Sequence, residues 1–301
     1  MPNYRTEAGT MFPETIVTEM FSKIVGHSAL AKLSAQKPIP FSGAKEFVFT
    51  MDGKAQIVGE GGAKEKNDAT VTTKVIRPVK FVYQHRVSDE FINASEEVRI
   101  QYLQAFADGF ARKIAEGFDI AALHGVNPYD MSDASFKSTN SFDGLVTNLV
   151  TYAAGSVDSN IDSAVAMVQA DGGKVSGIIL GPTAASAMAQ IKVNGVPQYP
   201  EYRFGQNPAA FYGMGSDVNA TVEAANPGTV GATSRFAYVG DFQDAFRWGY
   251  AKNIPLEVIE YGDPDGQNRD LKRYNEVCLR AEAYIGWGIL NEDCFAALKG
   301  A

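Results

Sequence analysis

Residues 46–58 read EFVFTMDGKAQIV, residues 59–70 read GEGGAKEKNDAT, and residues 70–87 read TVTTKVIRPVKFVYQHRV. The outer runs are dense in Val, Thr, Ile and aromatic residues, the composition of strands. The middle segment packs three glycines, two lysines and three acids into one short stretch. The simplest arrangement is a long β-hairpin with a charged, glycine-rich tip. Each arm of about 12 residues reaches roughly 40 Å at the rise of a strand. An isolated two-stranded hairpin is marginal in water, so this one has to lie along another part of the fold or along another subunit. The competing reading is a phosphate-cradling loop. Such a loop aims backbone N–H groups from a helix N-terminus at the anion. Here the glycines lead into a β-run, and the Gly-Lys-Ser/Thr order is absent.

On the N-terminal side, residues 14–35 have the period of an amphipathic helix, with Ile16, Met20 and Ile24 at steps of four and Pro13 at the start. KPIPFSG at 37–43 then breaks the pattern. On the C-terminal side, Ser88 is a candidate N-cap. The main helix runs from Glu96 and is closed by Gly125 as its C′ residue. Leu103, Phe106, Phe110, Ile114, Phe118 and Ala121 form its apolar face. Nearly thirty residues make a helix of about 43 Å. Residues 126–160 are loop-rich, 161–170 read as a helix, 175–181 as a buried strand, and Pro182 opens another helix. That alternation predicts a mixed α/β lobe. Loops and short strands are expected over 204–232, and the last seventy residues are mostly strand.

The chain has 301 residues and a net charge of -8, with 45% hydrophobic and 21% charged residues, which fits a folded globular protein. No apolar run reaches the roughly 18 residues of a membrane span, and the N-terminus lacks a signal-peptide pattern. Cys278 and Cys294 lack disulfide-framework or zinc spacing and are expected to be reduced. The acidic balance argues against a non-specific nucleic-acid binder, which would show a basic stripe, but not against a protein that encloses nucleic acid. GHSAL at 26–30 begins like a nucleophile elbow, but Leu30 replaces the second glycine and the segment lies in a helical pattern. His27, His85 and His124 have no partner at metal-ligand spacing, and His124 reads as a dipole partner at a helix end. Glu96 and Glu97 suit a helix start, and GDPDG at 262–266 is turn chemistry. Arg86, Arg99, Arg112 and Lys113 are scattered among acids, and Trp248 and Trp287 read as core residues. No catalytic residue, metal site or cofactor site is identified, which favours a structural role.

The order of these parts resembles the major capsid proteins of tailed bacteriophages with the HK97 fold. Five stretches carry the resemblance: KFVYQHRVSDEFINAS (80–95), FARKIAEGFDIAALHG (110–125), VSGIILGPTAASAMAQIKVNGVPQY (175–199), YVGDF (238–242) and VCLRAEAYIGWGILNEDCFAAL (277–298). The resemblance implies an α+β, HK97-like capsid fold: an N-terminal arm (1–44), an E-loop hairpin (45–87), a P domain with its spine helix (88–155), an A domain (156–235), and P-domain return strands with the C-terminus (236–301). It implies a shell of hexamers and pentamers enclosing phage double-stranded DNA. Inter-subunit contacts are expected from the hairpin tip at Gly59, Glu60, Gly61, Gly62, Lys64, Glu65, Lys66 and Asp68. The implied partners are other copies of the chain, a separate scaffolding protein (the arm begins almost at Met1), a portal protein, a decoration protein, and DNA held by weak non-specific contact. The implied location is the virion capsid, assembled in the host bacterial cytoplasm, with no membrane. The archetype's lysine–asparagine cross-link is not implied: Lys54, Lys64 and Lys66 lie near the tip, but no catalytic glutamate or partner asparagine matches. The alternatives are an encapsulin-like cellular compartment shell and, from another class, an α/β hydrolase or nucleotide-dependent enzyme.

Overall fold

A computed structural model describes residues 26–51, 55–64, 66, 68–91, 96–224, 234–252 and 256–301. The first part comprises a short helix α1 (Ala29–Leu33), the hairpin strands β1 (Ala44–Met51) and β2 (Ala69–Ile76), β3 (Pro78–Ser88) and the long helix α2 (Glu96–His124). Next come α3 (Phe142–Leu145), β4 (Asn148–Thr151), α4 (Val157–Ala170), β5 (Gly177–Leu180) and α5 (Pro182–Gln190). Short strands β6 (Lys192–Val193), β7 (Val196–Pro197), β8 (Ala210–Phe211) and β9 (Met214–Val218) lead to β10 (Arg235–Gly240). The chain closes with β11 (Phe246–Lys252), β12 (Leu256–Ile259), β13 (Glu276–Ile289) and β14 (Phe295–Lys299).

Two sheets organise these elements. In the first, β13 is the centre: β3 pairs antiparallel along one edge, and β11 and β12 share the other. Trp248 lies directly opposite Trp287 in this sheet. Both are fully buried, and the Phe118 ring of α2 packs 5.4 Å and 5.6 Å from them. The apolar stripe of α2 therefore docks where the two largest side chains of the sheet meet. The second sheet has the order β4-β14-β10-β5-β9-β8. Its strands alternate between two cores, as a period of two requires. Ile178 and Leu180 join α4 and α5 in one core, while Ile179 and Tyr238 join α2 and the two tryptophans in the other. The second sheet is a wall between them. The segment 156–235 supplies β5, β8 and β9, whereas β4 precedes it and β14 returns from the C-terminus to sit between β4 and β10.

Two expectations change. The strand-rich run 70–87 is not one hairpin arm. It breaks at Arg77, so β2 ends at Ile76 and β3 starts at Pro78, a residue that has no N–H to donate and suits a strand's first position. Ile76 is fully buried against Gly288, where a Cβ would come within 2.7 Å of its Cγ1. The hairpin arms are eight residues each, about 27 Å rather than 40 Å. The helix read over 14–35 is interrupted at Ser28, which is extended and caps α1; residues 14–25 lie outside the described residues. His124 stands in the last turn of α2, where it was expected beside the helix end. It is buried, with Nδ1 2.9 Å from Asp143 Oδ2 and Nε2 2.8 Å from the Thr221 carbonyl. Burial pushes the Asp143 carboxyl up, but the His124 hydrogen bond and the His124 and Arg235 charges hold it below the usual carboxylate range. Gly125 does close α2, with φ +65°.

The N-terminal arm is fastened through Asp119, a buried carboxylate near the C-terminal end of α2. It accepts from Ser28 Oγ at 2.5 Å, Ala29 N at 2.7 Å and Leu30 N at 3.4 Å, so one helix caps another. Further along, Lys37 N donates to Trp248 O and Ile39 N to Tyr250 O, laying the arm along β11. Gly249 makes this possible, because a Cβ there would collide with the Lys37 carbonyl. Asp119→Ala leaves buried amides without acceptors and is expected to cost about 2–3 kcal/mol in chemical denaturation, with faster amide exchange at 29–33. Burial pushes the Asp119 carboxyl up to about 7, against the pull of these hydrogen bonds. Its folded value thus lies above its unfolded value of about 4. The linked stabilisation is full below about pH 4 and is lost as pH rises through about 7. Stability curves of Asp119→Asn are expected to lack this component.

Candidate assembly surface

Strand alternation gives the β1–β2 hairpin two different faces. In register, Lys45, Phe47 and Phe49 lie opposite Val75, Thr73 and Val71 and share one face with them. Phe47 is 63% exposed, Phe49 61%, Val71 51% and Val75 50%. The opposite face begins with Glu46 directly across from Lys74. Glu46 is ion-paired with Arg247 of β11, and Lys74 Nζ lies 2.9 Å from Glu292. The base of the hairpin is therefore tied to the body by its polar face, and its apolar face stays uncovered by the described residues. A continuous row of phenylalanine and valine on a two-stranded ribbon is what a solitary soluble protein avoids.

The tip expected to make contacts is only partly brought together. Gly62 N donates to the Gly59 carbonyl at 3.0 Å, and Gly61 has φ +78°, so Gly59, Glu60, Gly61 and Gly62 form one turn that needs glycine at its third position. Lys66 and Asp68 pair at 2.7 Å, both largely exposed, a contact worth little in stability. Lys64 is exposed, while Glu65 and Lys54 lie outside the described residues. The aromatic face of β1 was missed in the sequence reading. Its signal was the alternation Glu46-Phe47-Val48-Phe49, matched by Val71 and Val75.

A second clamp shapes the edge of the first sheet. Arg86 of β3 binds Asp263, Asp265 and Glu276, and its Nη1 donates to the Arg269 carbonyl at 2.8 Å. The GDPDG turn thus also grips an arginine across the sheet. Arg86 holds the Asp265 carboxyl well below the usual range, and the hydrogen bond from Arg86 to Asp265 raises the guanidinium in turn. Among the described residues no group of His, Cys, Asp and Glu is placed to hold a metal ion. Both cysteines are free, and burial pushes their thiols up. Ser28 of GHSAL caps a helix and meets a buried aspartate.

A model of the phage capsid family matches residues 8–300 of the chain. Among solved structures, a chain from Mycobacterium phage Ogopogo is 33% identical with a TM-score of 0.74, over 91% of this chain and 92% of that one. A chain from Gordonia phage Cozz is 26% identical with a TM-score of 0.73, over 91% and 87%. The capsid of a native GTA particle shares the fold at 17% identity and a TM-score of 0.61, over 91% and 90%. Among curated proteins no match is found.

Arg247→Ala combined with Glu292→Ala removes both ties at the hairpin base. Partly exposed pairs of this kind contribute about 1 kcal/mol together, so amide exchange in β1 and β2 is expected to quicken about fivefold. Exchange in β3 stays as it was. Unchanged exchange in β1 would show that the ion pairs do not hold the hairpin.

Proposed function

The chain belongs to the phage capsid family, and from that premise we propose that its shell-building role is exercised as an icosahedral capsid of hexamers and pentamers around double-stranded DNA. A shell protein, not an enzyme, is what that family supplies. The observation that carries the reading is the uncovered Phe47, Phe49, Val71 and Val75 face of a hairpin whose other face is fastened to its own subunit. In this reading β1 and β2 are the E-loop and lie across an adjacent copy. The α2 helix is the spine, the β13 sheet belongs to the P domain, and the β10 sheet belongs to the A domain. The tip turn at Gly59–Gly62 lets one sequence meet two local curvatures.

The net charge of -8 keeps DNA contact weak and non-specific. The closed shell also calls for a portal, a scaffold to set curvature and an outer decoration partner, with assembly in the host cytoplasm before the virion is complete. Electron microscopy with light scattering on the purified chain tests the proposal. Closed particles or capsomers support it, and a monomer that persists when scaffold is supplied overturns it. Phe47→Ser with Phe49→Ser is expected to leave monomer stability within about 1 kcal/mol while abolishing particles. Particles of normal yield from that variant would mean that the hairpin face is not a subunit contact.

A further inference from the structure

The lobe built on the six-stranded sheet carries two clefts that share no residue. One, of about 330 Å³, lies among α4, the end of α5 and the β8–β9 hairpin. Ile161, Met188 and Phe211 are buried beneath it, and Asp158, Asp162, Tyr199 and Tyr212 are its more exposed lining. Tyr199 donates to Asp158 at 3.3 Å, and among the described residues neither aspartate has an ion-pair partner. The other cleft, of about 730 Å³, runs along α5 beside the 3₁₀ segment Pro200–Gly205. Its lining includes Lys192 and Arg203, again with no ion-pair partner among the described residues.

At the lip of the larger cleft stands Phe204. It is 90% exposed, its φ is +57°, and the Arg203 guanidinium lies 5.0 Å from its ring centroid. A bulky residue held in the left-handed region costs about 1–3 kcal/mol, and leaving the ring in water forgoes the gain of burying it. Tyr212, at the other cleft, has the same character: 81% exposed, φ +48°, on the two-residue Tyr212–Gly213 turn. Strained, exposed aromatics beside charges of opposite sign, without ion-pair partners among the described residues, mark two halves of a contact that these residues do not make within one chain.

We propose that the Arg203–Phe204 knob of one subunit seats in the Asp158/Asp162 cleft of an adjacent copy, an inference that rests on the shell reading. The Phe204 ring covers Met188 and Phe211 between the two tyrosines, and Arg203 meets the aspartates with Lys192 behind it. Arginine and aromatic anchors in a pocket are the residues that dominate interface energy, and the opposite charges set the register. Knob and cleft are different surfaces, so the contact is heterologous, the kind from which rings are built when the rotation between copies closes. It is distinct from the hairpin face and lies in the other lobe.

A charge-reversal cycle on the full chain tests it, read as the concentration for half-assembly in sedimentation velocity. Arg203→Glu and Asp162→Arg are each expected to raise that concentration by at least about tenfold. The two together bring it back to within about threefold of the parent. Arg203→Glu assembling like the parent, or a combined variant no better than either single one, overturns the contact. A second variant is independent of charge: Phe204→Cys with Tyr212→Cys is expected to give inter-subunit disulfides in assembled material that neither single variant gives. Their absence also overturns it. A parent that never assembles, even with scaffold, sinks the shell reading and this contact together. An assembling parent with indifferent variants sinks the contact alone.

Discussion

Strand β13 runs for fourteen residues, and β3 pairs with eleven of them, from Glu276 opposite Ser88 to Gly286 opposite Pro78. Everything outward of the body takes its direction from that pairing. At one end it places Ile76, fully buried, beside Gly286 and Gly288, so that the chain leaves the sheet there and the hairpin starts from a fixed point. At the other end it delivers Ser88 to the segment leading into α2, and Arg86 locks the far loop across the same edge. Trp248 and Trp287 then fix the depth at which α2 packs, through Phe118. The two glycines are part of the constraint. Side chains at 286 or 288 would push Ile76 out and turn the root of the hairpin from an anchor into a hinge.

Much of this was legible in the sequence because it rests on local period. The face Phe110, Ile114, Phe118 and Ala121 follows the helical repeat, and the structure buries all four. Gly125, Pro182 and the apolar run at 177–180 are punctuation of the same kind, and each falls where its chemistry puts it. Non-local partners were not legible. Nothing near Asp119 in sequence announces that it caps a helix ninety residues away, or that His124 and Tyr238 converge on Asp143. Nor does composition separate 70–76 from 78–87, since both are strand-forming. Pro78 was the one local signal of the break, and the buried Ile76 is its reason. Of the candidate surface, the glycine turn was readable. The apolar face of β1 was hidden because its meaning depends on which side the body lies.

The hairpin shows how a shell subunit divides its labour between its two faces. The polar face is fastened to its own chain by Arg247 and Glu292, which restricts orientation without burying apolar area. On the proposed reading the apolar face is left for association, where burial gives the larger free energy. Reversing the two would hide the phenylalanines inside one subunit and leave only screened charges for assembly.

The overall charge bears on that division. Subunits of net charge -8 repel one another when they are brought together. Non-directional apolar contact overcomes that repulsion, but by itself it does not choose a register. Under the proposed contacts, local departures from the net charge supply the choice: Lys45 stands beside the aromatic row of the hairpin, and Lys192 and Arg203 stand on a lobe whose other cleft carries Asp158 and Asp162. Affinity spread over apolar faces and specificity concentrated in a few charges allow each contact to be modest. A shell built from many modest contacts stays reversible while it forms, so misplaced subunits can leave before the surface closes.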